Sequence, residues 1–486
     1  MNKHLKILML GSEVAPFSKA GGLGDVLRSL PKALMNLGHE VIVATPLHGG
    51  VAEKYLLSMA ITNLRVSFGG RQVVTAFQEG LIDKKVPVYF MDHNDLFGRY
   101  KHVYGHDDAM RFLFFSLASI ELVKQLNFQP DIIHCNDWHT ALIPYFLKKF
   151  FAKDKFFSKT ATLLTIHNLA FQGEEPDRPK ENKNDYPKYR RHSLPEDLKE
   201  IKKVNFMSFG IVFANIINTV SERYAREILT KEYGVGLEGL LKRYRHKLFG
   251  IINGLDSSVF NPALDPNIPY KFDVKRLSRK YLNKKILQKK LGLPPERNAP
   301  ILAFVSRITE QKGFDLFMAI SDTILQLPIQ VVMVGSGAKR FHNFWQRLAK
   351  KYPDKVGVHL EFSQELASLV YAGADIFLMP SRFEPSGLGQ MIALRYGTIP
   401  IVRATGGLSD TISDYNSVTG EGTGFVFERY DPVDFLVTII RALEVYKDRK
   451  TWHKLMNQGM RAGFSWRVPA RKYVVLYKKA IKKRRR

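Results

Sequence analysis

Short apolar runs that alternate with helical patterns recur along this chain in two separate series. The runs are apolar throughout, which is typical of parallel strands that are buried on both faces of a sheet. The strand candidates of the first series are 6–11, 40–45, 86–91, 131–135, 162–166, 216–220 and 247–252, with a helix near 24–37. Those of the second series are 301–306, 330–334, 356–360, 375–379 and 398–402, with a helix near 387–396. Each series predicts a doubly wound α/β domain.

The chain has 486 residues, which is too long for one ordinary hydrophobic core. After Asn253 and Gly254 the apolar pattern gives way to the turn-rich segment 261–266, which has little to bury. We therefore predict a first domain over 1–256 and a second over 257–464. Open parallel sheets hold ligands at the carboxyl ends of their strands, so we expect two such sheets to face each other across a ligand-binding cleft.

Lysine and arginine outnumber aspartate and glutamate by 73 to 46, which gives a formal net charge of +27. Much of the excess lies in 271–290 and 478–486. This charge fits contact with nucleic acid, an anionic membrane or phosphorylated ligands, and it also fits solvated faces without a partner. No nucleic-acid-binding module is recognisable, so we expect no nucleic-acid partner.

No apolar run approaches the roughly 18 to 20 residues that cross a bilayer, so we expect no transmembrane segment. Motif residues follow the first strand at once, and we expect no leader peptide ahead of them. The one cysteine, Cys135, excludes an internal disulfide and suits a reducing compartment. We predict a cytoplasmic protein, with a bacterial cytosol as the first expectation. The polar stretch 173–195 predicts a long mobile loop.

A glycine-rich turn follows the first strand, with Gly21, Gly22 and Gly24 ahead of Asp25. Bare backbone N–H groups in such a turn could hold phosphate or sugar oxygens, and the glycines could equally be structural. The turn lacks the Gly-Lys-Ser/Thr ending of a nucleotide-hydrolase loop and the spacing of a dinucleotide fingerprint. It predicts an anion site of another kind.

Two cations, Arg307 and Lys312, follow the first strand of the second domain. When a glycosidic bond to a nucleotide diphosphate breaks, negative charge grows on the phosphate oxygen, and fixed cations can offset it. The alternative is two solvated basic residues on a loop. We predict a diphosphate site.

A carboxylate, Glu384, precedes a predicted helix start in the second domain. The backbone N–H groups of Ser386, Gly387 and Leu388 would lack helical partners there and could hold hydroxyl or phosphate oxygens. Glu384 could accept hydrogen bonds from a sugar, or it could merely cap the helix.

Three polar residues of the first domain, Asp137, His167 and Asn253, each follow an apolar strand where a buried sheet would open onto the cleft. His134, Asp137 and His139 could suggest a metal, but their spacing is not helical and no further ligand is apparent. The chain also lacks Asp-x-Asp, so we expect no divalent cation on the donor.

Together these residues resemble the family of bacterial glycogen synthases and plant starch synthases over nearly the whole chain. The matching motifs are Lys-x-Gly-Gly-Leu-Gly-Asp-Val at 19–26, Asp-Trp-His at 137–139, Thr-x-His-Asn-Leu-Ala-x-Gln-Gly at 165–173, Thr-Val-Ser at 219–221, Asn-Gly at 253–254, the paired cations within 307–312, Arg-Phe-Glu-Pro at 382–385, Thr-Gly-Gly-Leu at 405–408 and Phe-Ser-Trp at 464–466.

The resemblance implies the GT-B glycosyltransferase fold of two Rossmann-like domains, with a C-terminal helix in 465–486 that crosses back to the first domain. It implies transfer of glucose from ADP-glucose to the non-reducing end of an α-1,4-glucan, with retention at the anomeric carbon and without a metal or other cofactor. The partners implied are thus ADP-glucose and a glycogen-like acceptor, while the oligomeric state stays open.

Site residues carry over by motif. Catalytic roles fall to Glu384, His167, Arg307, Lys312 and Asp137. Donor-binding roles fall to Lys19, Gly22, Asp25, Asn253, Phe362, Ser386, Gly387, Leu388 and Thr411. Phe362 matches the aromatic position beside the adenine, and core packing is its alternative.

The chain departs from the family pattern in three places. Ser386 stands where cysteine is usual, Ser208-Phe209-Gly210 replaces Lys-Gly-Gly, and Gly463 replaces aspartate. Two alternatives to the leading function stay open. One is a UDP-sugar transferase that makes another glycan, because the sequence indicates the nucleobase only weakly. The other is a glucan-binding regulatory protein that has lost turnover, which the changes at Ser208, Phe209 and Gly463 motivate.

Overall fold

The computed structural model of this protein describes residues 4–100, 102–105, 107–173 and 205–484. All but the first residue of the loop predicted over 173–195 lies outside these ranges. The chain divides into two compact units, one made of Met1–Gly254 with Trp466–Arg486 and the other of Leu255–Ser465. In the described ranges, no helix is both long enough and apolar enough to cross a membrane.

Unit 1 is built on a nine-stranded sheet in the order β3-β4-β5-β2-β1-β6-β7-β8-β9. Its strands are β1 (Lys6–Leu10), β2 (Glu40–Pro46), β3 (Ser58–Phe68), β4 (Arg71–Ile82), β5 (Val86–Asp92), β6 (Ile132–Asn136), β7 (Ala161–Ile166), β8 (Ile216–Thr219) and β9 (Leu248–Gly250). Its helices before the chain leaves the unit are α1 (Gly22–Met35), α2 (Val51–Lys54), α3 (Asp108–Gln125), α4 (Ile143–Lys149), α5 (Phe206–Phe213), α6 (Glu222–Glu227) and α7 (Glu238–Arg243). The parallel strands bury both faces, as the apolar runs predict.

An antiparallel hairpin forms the edge of this sheet, where the sequence pattern predicts no strands. β4 pairs antiparallel with both β3 and β5. Gly69 and Gly70 join β3 to β4 with φ of 60° and 71°, the left-handed backbone that a two-residue hairpin turn of the primed type requires. β3 is buried on one face only, so it lacks the continuous apolar run of the parallel strands.

Unit 2 holds a six-stranded, fully parallel sheet in the order β12-β11-β10-β13-β14-β15. Its strands are β10 (Ile301–Val305), β11 (Gln330–Val334), β12 (Val356–His359), β13 (Ile376–Met379), β14 (Ile399–Arg403) and β15 (Phe425–Phe427). Its helices are α8 (Ser278–Lys290), α9 (Phe314–Ile324), α10 (Lys339–Lys351), α11 (Gln364–Gly373), α12 (Gly389–Arg395), α13 (Gly406–Thr411), α14 (Pro432–Lys447) and α15 (Arg449–Arg461). Two α/β units, one with a largely parallel sheet and one with a fully parallel sheet, confirm the predicted fold class.

The last helix, α16 (Arg467–Arg484), packs within unit 1 against β7 and α1. Ala470, Tyr473 and Tyr477 are fully buried along one side of it. The Tyr477 hydroxyl lies 2.9 Å from His134 Nδ1, and Asn218 Nδ2 donates to the Tyr473 hydroxyl at 3.0 Å. These hydrogen bonds anchor α16 to strands β6 and β8.

Candidate active site

The predicted site residues follow the carboxyl ends of parallel strands in both units. In unit 1 they come after β1, β6, β7 and β9, and in unit 2 they come after β10, β12, β13 and β14. Because the carboxyl ends of parallel strands meet at one edge of a sheet, each unit gathers its own set of these residues at one edge.

The glycine-rich turn after β1 folds around a carboxylate of the chain itself. Glu13 is almost fully buried and accepts hydrogen bonds from the backbone N–H groups of Ala20, Gly21 and Gly24. The Gly21 and Gly24 bonds are 3.1 and 3.2 Å long. Burial raises the pKa of Glu13, and the three backbone N–H groups oppose that rise. The prediction that these N–H groups are bare is therefore wrong, because the Glu13 carboxylate already occupies the anion position.

Other groups of the same motif, which Glu13 does not contact, stay accessible. Gly22 is the first residue of α1 and is exposed. Lys19 Nζ lies 2.7 Å from Asp25 Oδ1, and both side chains are partly exposed. Any ligand at this turn would thus meet the Lys19–Asp25 ion pair and the start of α1. It would not meet the amides that Glu13 holds.

Asp137 is buried and held by backbone donors. Its Oδ1 accepts from the N–H groups of His167 at 2.7 Å and Asn168 at 3.3 Å, so this carboxylate fixes the start of the loop after β7. Its backbone, with φ of 56° and ψ of −175°, lies in a region that residues other than glycine rarely adopt, so the surrounding structure must hold it there. Burial raises the pKa of Asp137 to about 7, against the two backbone N–H groups that lower it.

The orientation of the His167 ring is set by Asn136. Asn136 Nδ2 donates to the Leu10 carbonyl at 2.9 Å, so its Oδ1 faces His167 Nε2, also at 2.9 Å. Burial lowers the pKa of His167 to about 3, so the ring is neutral at pH 7. A neutral ring that donates from Nε2 has a lone pair on Nδ1. His167 thus offers a hydrogen-bond acceptor and no positive charge.

The two other histidines of the metal hypothesis lie in different surroundings. His134 contacts Tyr477 through Nδ1 and Thr165 Oγ1 through Nε2, at 2.9 and 2.7 Å. His139 is buried among aromatic rings, and neither of its nitrogens has a hydrogen-bond partner in the described part of the chain. Within 4–100, 102–105, 107–173 and 205–484 no three His, Cys, Asp or Glu residues group as metal ligands. That the reaction uses no metal stays a prediction.

Asn253, just beyond β9, is buried to 5% exposure. Its Oδ1 has no hydrogen-bond partner among the described residues. A buried amide oxygen without a partner costs free energy that a ligand hydroxyl could recover. Asn253 is therefore a candidate contact for a sugar.

In unit 2 the structure joins two residues that the sequence analysis treats separately. Lys312 Nζ donates to Glu384 Oε2 at 2.6 Å, and Ser381 Oγ donates to the same oxygen at 3.1 Å. The side chains of Lys312 and Glu384 are largely buried, with 17% and 8% exposure, respectively. An ammonium carries three N–H donors, so Lys312 keeps two that this carboxylate does not use. Glu384 Oε1 accepts no hydrogen bond from any residue that the structure describes.

Arg307 follows β10 and is exposed. Its guanidinium makes no ion pair with any residue in the described ranges. It therefore presents all five N–H donors to solvent or to a ligand. Together with Lys312, it provides two cationic groups after the same strand.

The loop between β13 and α12 presents the predicted amides. The N–H groups of Ser386, Gly387 and Leu388 donate to no other residue of the described chain, and Ser386 Oγ is buried without a partner. Gln390 Nε2 donates to the carbonyls of Ser386 and Gly387, each at 3.0 Å. The same nitrogen donates to Thr411 Oγ1 at 3.0 Å, so Thr411 supports this loop from α13.

Three glycines bring neighbouring loops against the Glu384 loop. A Cβ at Gly406 would lie 2.0 Å from the Glu384 carbonyl oxygen, and one at Gly407 would lie 2.1 Å from that of Ser386. A Cβ at Gly313 would lie 1.9 Å from the Pro380 carbonyl oxygen. These approaches explain why glycine is required there, and they fix Glu384 relative to Lys312.

Phe362 follows β12 and is 79% exposed. The alternative of core packing is therefore wrong. An exposed ring at the same edge as Arg307 and Lys312 has a free face for stacking on a planar group.

Four residues at these edges were not predicted from the sequence. Glu13 organises the turn after β1, and Arg403 donates from Nε to the Ser381 carbonyl at 2.9 Å below the Glu384 loop. After β11, Gly335 and Gly337 pack against the loop that carries Arg307, because a Cβ at either would meet the carbonyl oxygen of Ser306 or Ile308 within 2.1 Å. The Gly-Ser-Gly spacing after an apolar run was the available signal.

The departures from the family pattern have local structural roles. Ser208 N–H donates to Asn205 Oδ1 at 2.8 Å, so Asn205 caps the start of α5. Phe209 packs in the core with its ring 5.0 Å from that of Tyr145. Gly210 has no room for a side chain beside Ala141. Gly463 has open space around it.

Comparison with known proteins places these features in context. Residues 6–243 match the family model of the starch synthase catalytic domain, and residues 283–457 match that of glycosyl transferases group 1. The glycogen synthase of Moorella thermoacetica is 46% identical over 489 residues, which cover 100% of this chain and 99% of that protein. That of Thermotoga petrophila is 42% identical and covers 99% of each chain.

Solved structures agree with these relatives. The catalytic domain of starch synthase IV from Arabidopsis thaliana, bound to ADP and acarbose, is 32% identical with a TM-score of 0.88, over 99% of this chain and 100% of that chain. A sucrose-phosphate synthase from Thermosynechococcus elongatus shares the fold alone, at 17% identity and a TM-score of 0.61, over 97% of this chain and 98% of that one.

Proposed function

The chain belongs to the family of glycogen synthases and starch synthases, and from that premise we propose that it transfers glucose from ADP-glucose to the non-reducing end of an α-1,4-glucan, with retention at the anomeric carbon. The observation that carries the proposal is the Lys312–Glu384 pair beside the amides of 386–388 that have no partner in the described chain. This arrangement combines cationic donors, one carboxylate oxygen and bare N–H groups, which suits a sugar diphosphate.

The departing diphosphate is the first requirement of the reaction. As the bond from the anomeric carbon to the phosphate oxygen breaks, its electron pair goes to the diphosphate. Arg307 and the two remaining N–H groups of Lys312 would offset the growing charge. Because these two side chains already supply positive charge, we further propose that no divalent metal takes part, and we expect synthesis to persist in excess EDTA.

The glucosyl unit is the second requirement. Glu384 Oε1 can accept a hydrogen bond from a sugar hydroxyl, while the Gly387 and Leu388 N–H groups can donate to sugar or phosphate oxygens. In unit 1 the Nδ1 lone pair of neutral His167 and the Asn253 amide oxygen are further acceptors for hydroxyls. We assign Asp137 a positioning role, because its carboxylate holds the His167 backbone.

The proposal also covers the nucleobase of the donor and the chemical class of the acceptor. The exposed Phe362 ring suits stacking on a purine, and the neighbour bound to ADP and acarbose supports an adenine nucleotide and a glucan-like partner. We also propose a cytoplasmic location, since the single cysteine, Cys135, is reduced and buried.

The test is a donor panel with glycogen as acceptor. Purified protein is given radiolabelled ADP-glucose or UDP-glucose, and the label in washed polymer is counted. We expect label from ADP-glucose, and we expect an exo-acting amylase that starts at non-reducing ends to release it first. Label from UDP-glucose alone would contradict the donor assignment, and no label from either would favour a regulatory protein.

A further inference from the structure

A cavity lies in unit 1, away from the candidate active-site residues. Its volume is about 360 Å³, which is within the range of roughly 300–1,000 Å³ that is usual for small-molecule sites. It opens beside the start of β7 and the residue before β8, at the amino ends of these strands. The residues that line it are Pro144, Leu147, Lys148, Ala152, Phe157, Thr160, Thr162, Phe213, Asn215, Lys483 and Arg484.

The lining carries positive charge without compensation. Lys148, Lys483 and Arg484 reach it from α4 and from the end of α16, and no lining residue is acidic. None of the three makes an ion pair with a residue in the described ranges. Lys148 Nζ lies 5.5 Å from the centre of the Phe213 ring, so its ammonium is held over an aromatic wall of the cavity.

A fourth basic side chain lies just behind this wall. Lys247 is buried and donates to the carbonyls of Val212 and Ala214 at 2.9 and 2.7 Å. Burial, together with the charges of Lys483 and Lys148, lowers the pKa of Lys247 to about 7. Two cations of the lining are thus close enough to act on Lys247, and none of the lining residues is acidic.

The cavity also offers a neutral donor in a fixed orientation. Asn215 Oδ1 accepts from Thr162 N–H at 2.8 Å and from Thr162 Oγ1 at 3.1 Å. Because both bonds go to the oxygen, the amide orientation is determined, and its NH₂ group points away from Thr162. That NH₂ group donates to no residue within the described part of the chain.

We propose that this cavity binds a small phosphate-bearing anion, with Lys148, Lys483 and Arg484 around the phosphate. Converging cations with a neutral N–H donor are the groups that bind phosphate. Phe157 and Phe213 add apolar walls that a bare oxyanion would not need but that suit the C–H faces of a sugar ring. The site lies at the opposite strand ends from His167 and Asp137, so a ligand there leaves those residues uncovered.

The experiment is isothermal titration calorimetry of the full chain at low salt. The same titrations on the Lys312→Ala variant distinguish binding at the proposed donor site from binding in this cavity. The probes are inorganic phosphate, glucose 6-phosphate and a short oligonucleotide. In the Lys148→Ala/Arg484→Ala variant, we expect affinity to fall by about tenfold for each cation removed, the size of one charge-assisted hydrogen bond.

The matched control is Lys153→Ala/Lys482→Ala, which removes the same charge from exposed residues that do not line the cavity. The control should bind like the wild type, and both variants should keep glucan synthesis. Tighter binding of glucose 6-phosphate than of phosphate identifies a sugar phosphate as the ligand, and equal binding identifies free phosphate. Equal losses in both variants, no binding by the wild type, or binding of an oligonucleotide alone would overturn the proposal.

Discussion

The polar groups at the strand ends of unit 1 and unit 2 differ in how far the chain itself satisfies them. In unit 1 the carboxylates of Glu13 and Asp137 are taken up by backbone N–H groups, and His167 is held by Asn136. In unit 2 the Arg307 guanidinium and the amides of 386–388 have no partner in the described residues. Unit 1 thus provides a preformed and largely neutral surface, whereas unit 2 provides open positive charge.

This difference suggests a division of labour. Neutral acceptors such as His167 suit the hydroxyl groups of a sugar, and open cations suit a diphosphate. Groups that are already bonded to the chain cost little to reorganise during the reaction, which is the condition for effective electrostatic stabilisation. Substitutions in unit 2 should therefore affect mainly the donor diphosphate and sugar, and changes of pH should affect mainly the buried groups of unit 1.

The largest effect is expected at the Lys312–Glu384 pair. Lys312→Ala and Glu384→Gln should each lower kcat by on the order of 10² to 10³, because each removes a fixed group that meets the departing diphosphate or the sugar. Labelled glucan formation measures the rate, and circular dichroism checks the fold. Lys351→Ala is the matched control, since Lys351 pairs with the exposed Asp322 at 2.7 Å and should have no effect on rate. Wild-type synthesis by either site variant would show that the pair is wrongly assigned.

Acid should destabilise unit 1 through its buried histidines. Burial lowers the pKa of His48 to about 4, those of His134 and His167 to about 3, and that of His139 well below its usual 6.5. Between these lowered pKa values and the usual 6.5, the histidines are protonated in the unfolded chain and neutral in the folded chain. The contribution of these histidines to stability is therefore complete above about pH 6.5 and is lost as pH falls, by up to about 1.4 kcal/mol per pH unit for each histidine.

The substitution His139→Phe measures the contribution of one of these histidines to the pH dependence of stability. The ring lies among Tyr104, Phe112 and Trp138, so a phenyl ring can take its place. Urea unfolding between pH 4.5 and 7 should show a slope about 1.4 kcal/mol per pH unit smaller than in the wild type below pH 6. Asp137, with its raised pKa, contributes the opposite slope in both proteins and cancels in the difference. Identical slopes would mean that His139 is not a buried neutral base.

A moderate effect is expected at Phe362. Stacking of a base on an aromatic ring contributes about 1–3 kcal/mol, so Phe362→Ala should raise KM for ADP-glucose by roughly tenfold. The ring is exposed, so the free energy of unfolding should not change. Phe362→Tyr keeps the ring face and should restore KM. An unchanged KM in the alanine variant would remove Phe362 from the donor site.

The smallest effect is expected for Ser386→Cys, which restores the usual residue of the family. Ser386 Oγ has no hydrogen-bond partner in the described chain, and the proposed contact comes from the backbone of this loop. We expect kcat/KM to change by less than about threefold, well below the tenfold that 1.4 kcal/mol would produce. A larger change would place the side chain itself on the substrate.

The ends of the predicted strands that carry the site lie within two residues of the observed ends. The predicted family is confirmed. Phe304 and Phe377, for example, lie in continuous apolar runs that only buried parallel strands explain. The hairpin of β3 and β4 was missed because its residues are buried on one face, and β15 was missed because three residues form too short a pattern. β9 is shorter than the predicted run 247–252.

The site was only partly predictable. Motif positions named Lys312, Glu384 and His167, and the structure places each after its strand. The roles of these residues stay predictions. Glu13 could not be recognised, because its carboxylate gains a function only when the chain turns back and brings Ala20, Gly21 and Gly24 to it.

By itself the sequence determined the order of strands and turns, because burial on both faces demands apolar runs and tight approaches demand glycine. Only the tertiary structure decided which polar groups are occupied and which are open. Glu13 occupies the N–H groups of Ala20, Gly21 and Gly24. The Phe362 ring is exposed, and Lys312 bonds to Glu384 although 72 residues separate them in the chain. The physical reason is that hydrogen bonds and ion pairs depend on distances of a few ångströms between residues that are remote in sequence.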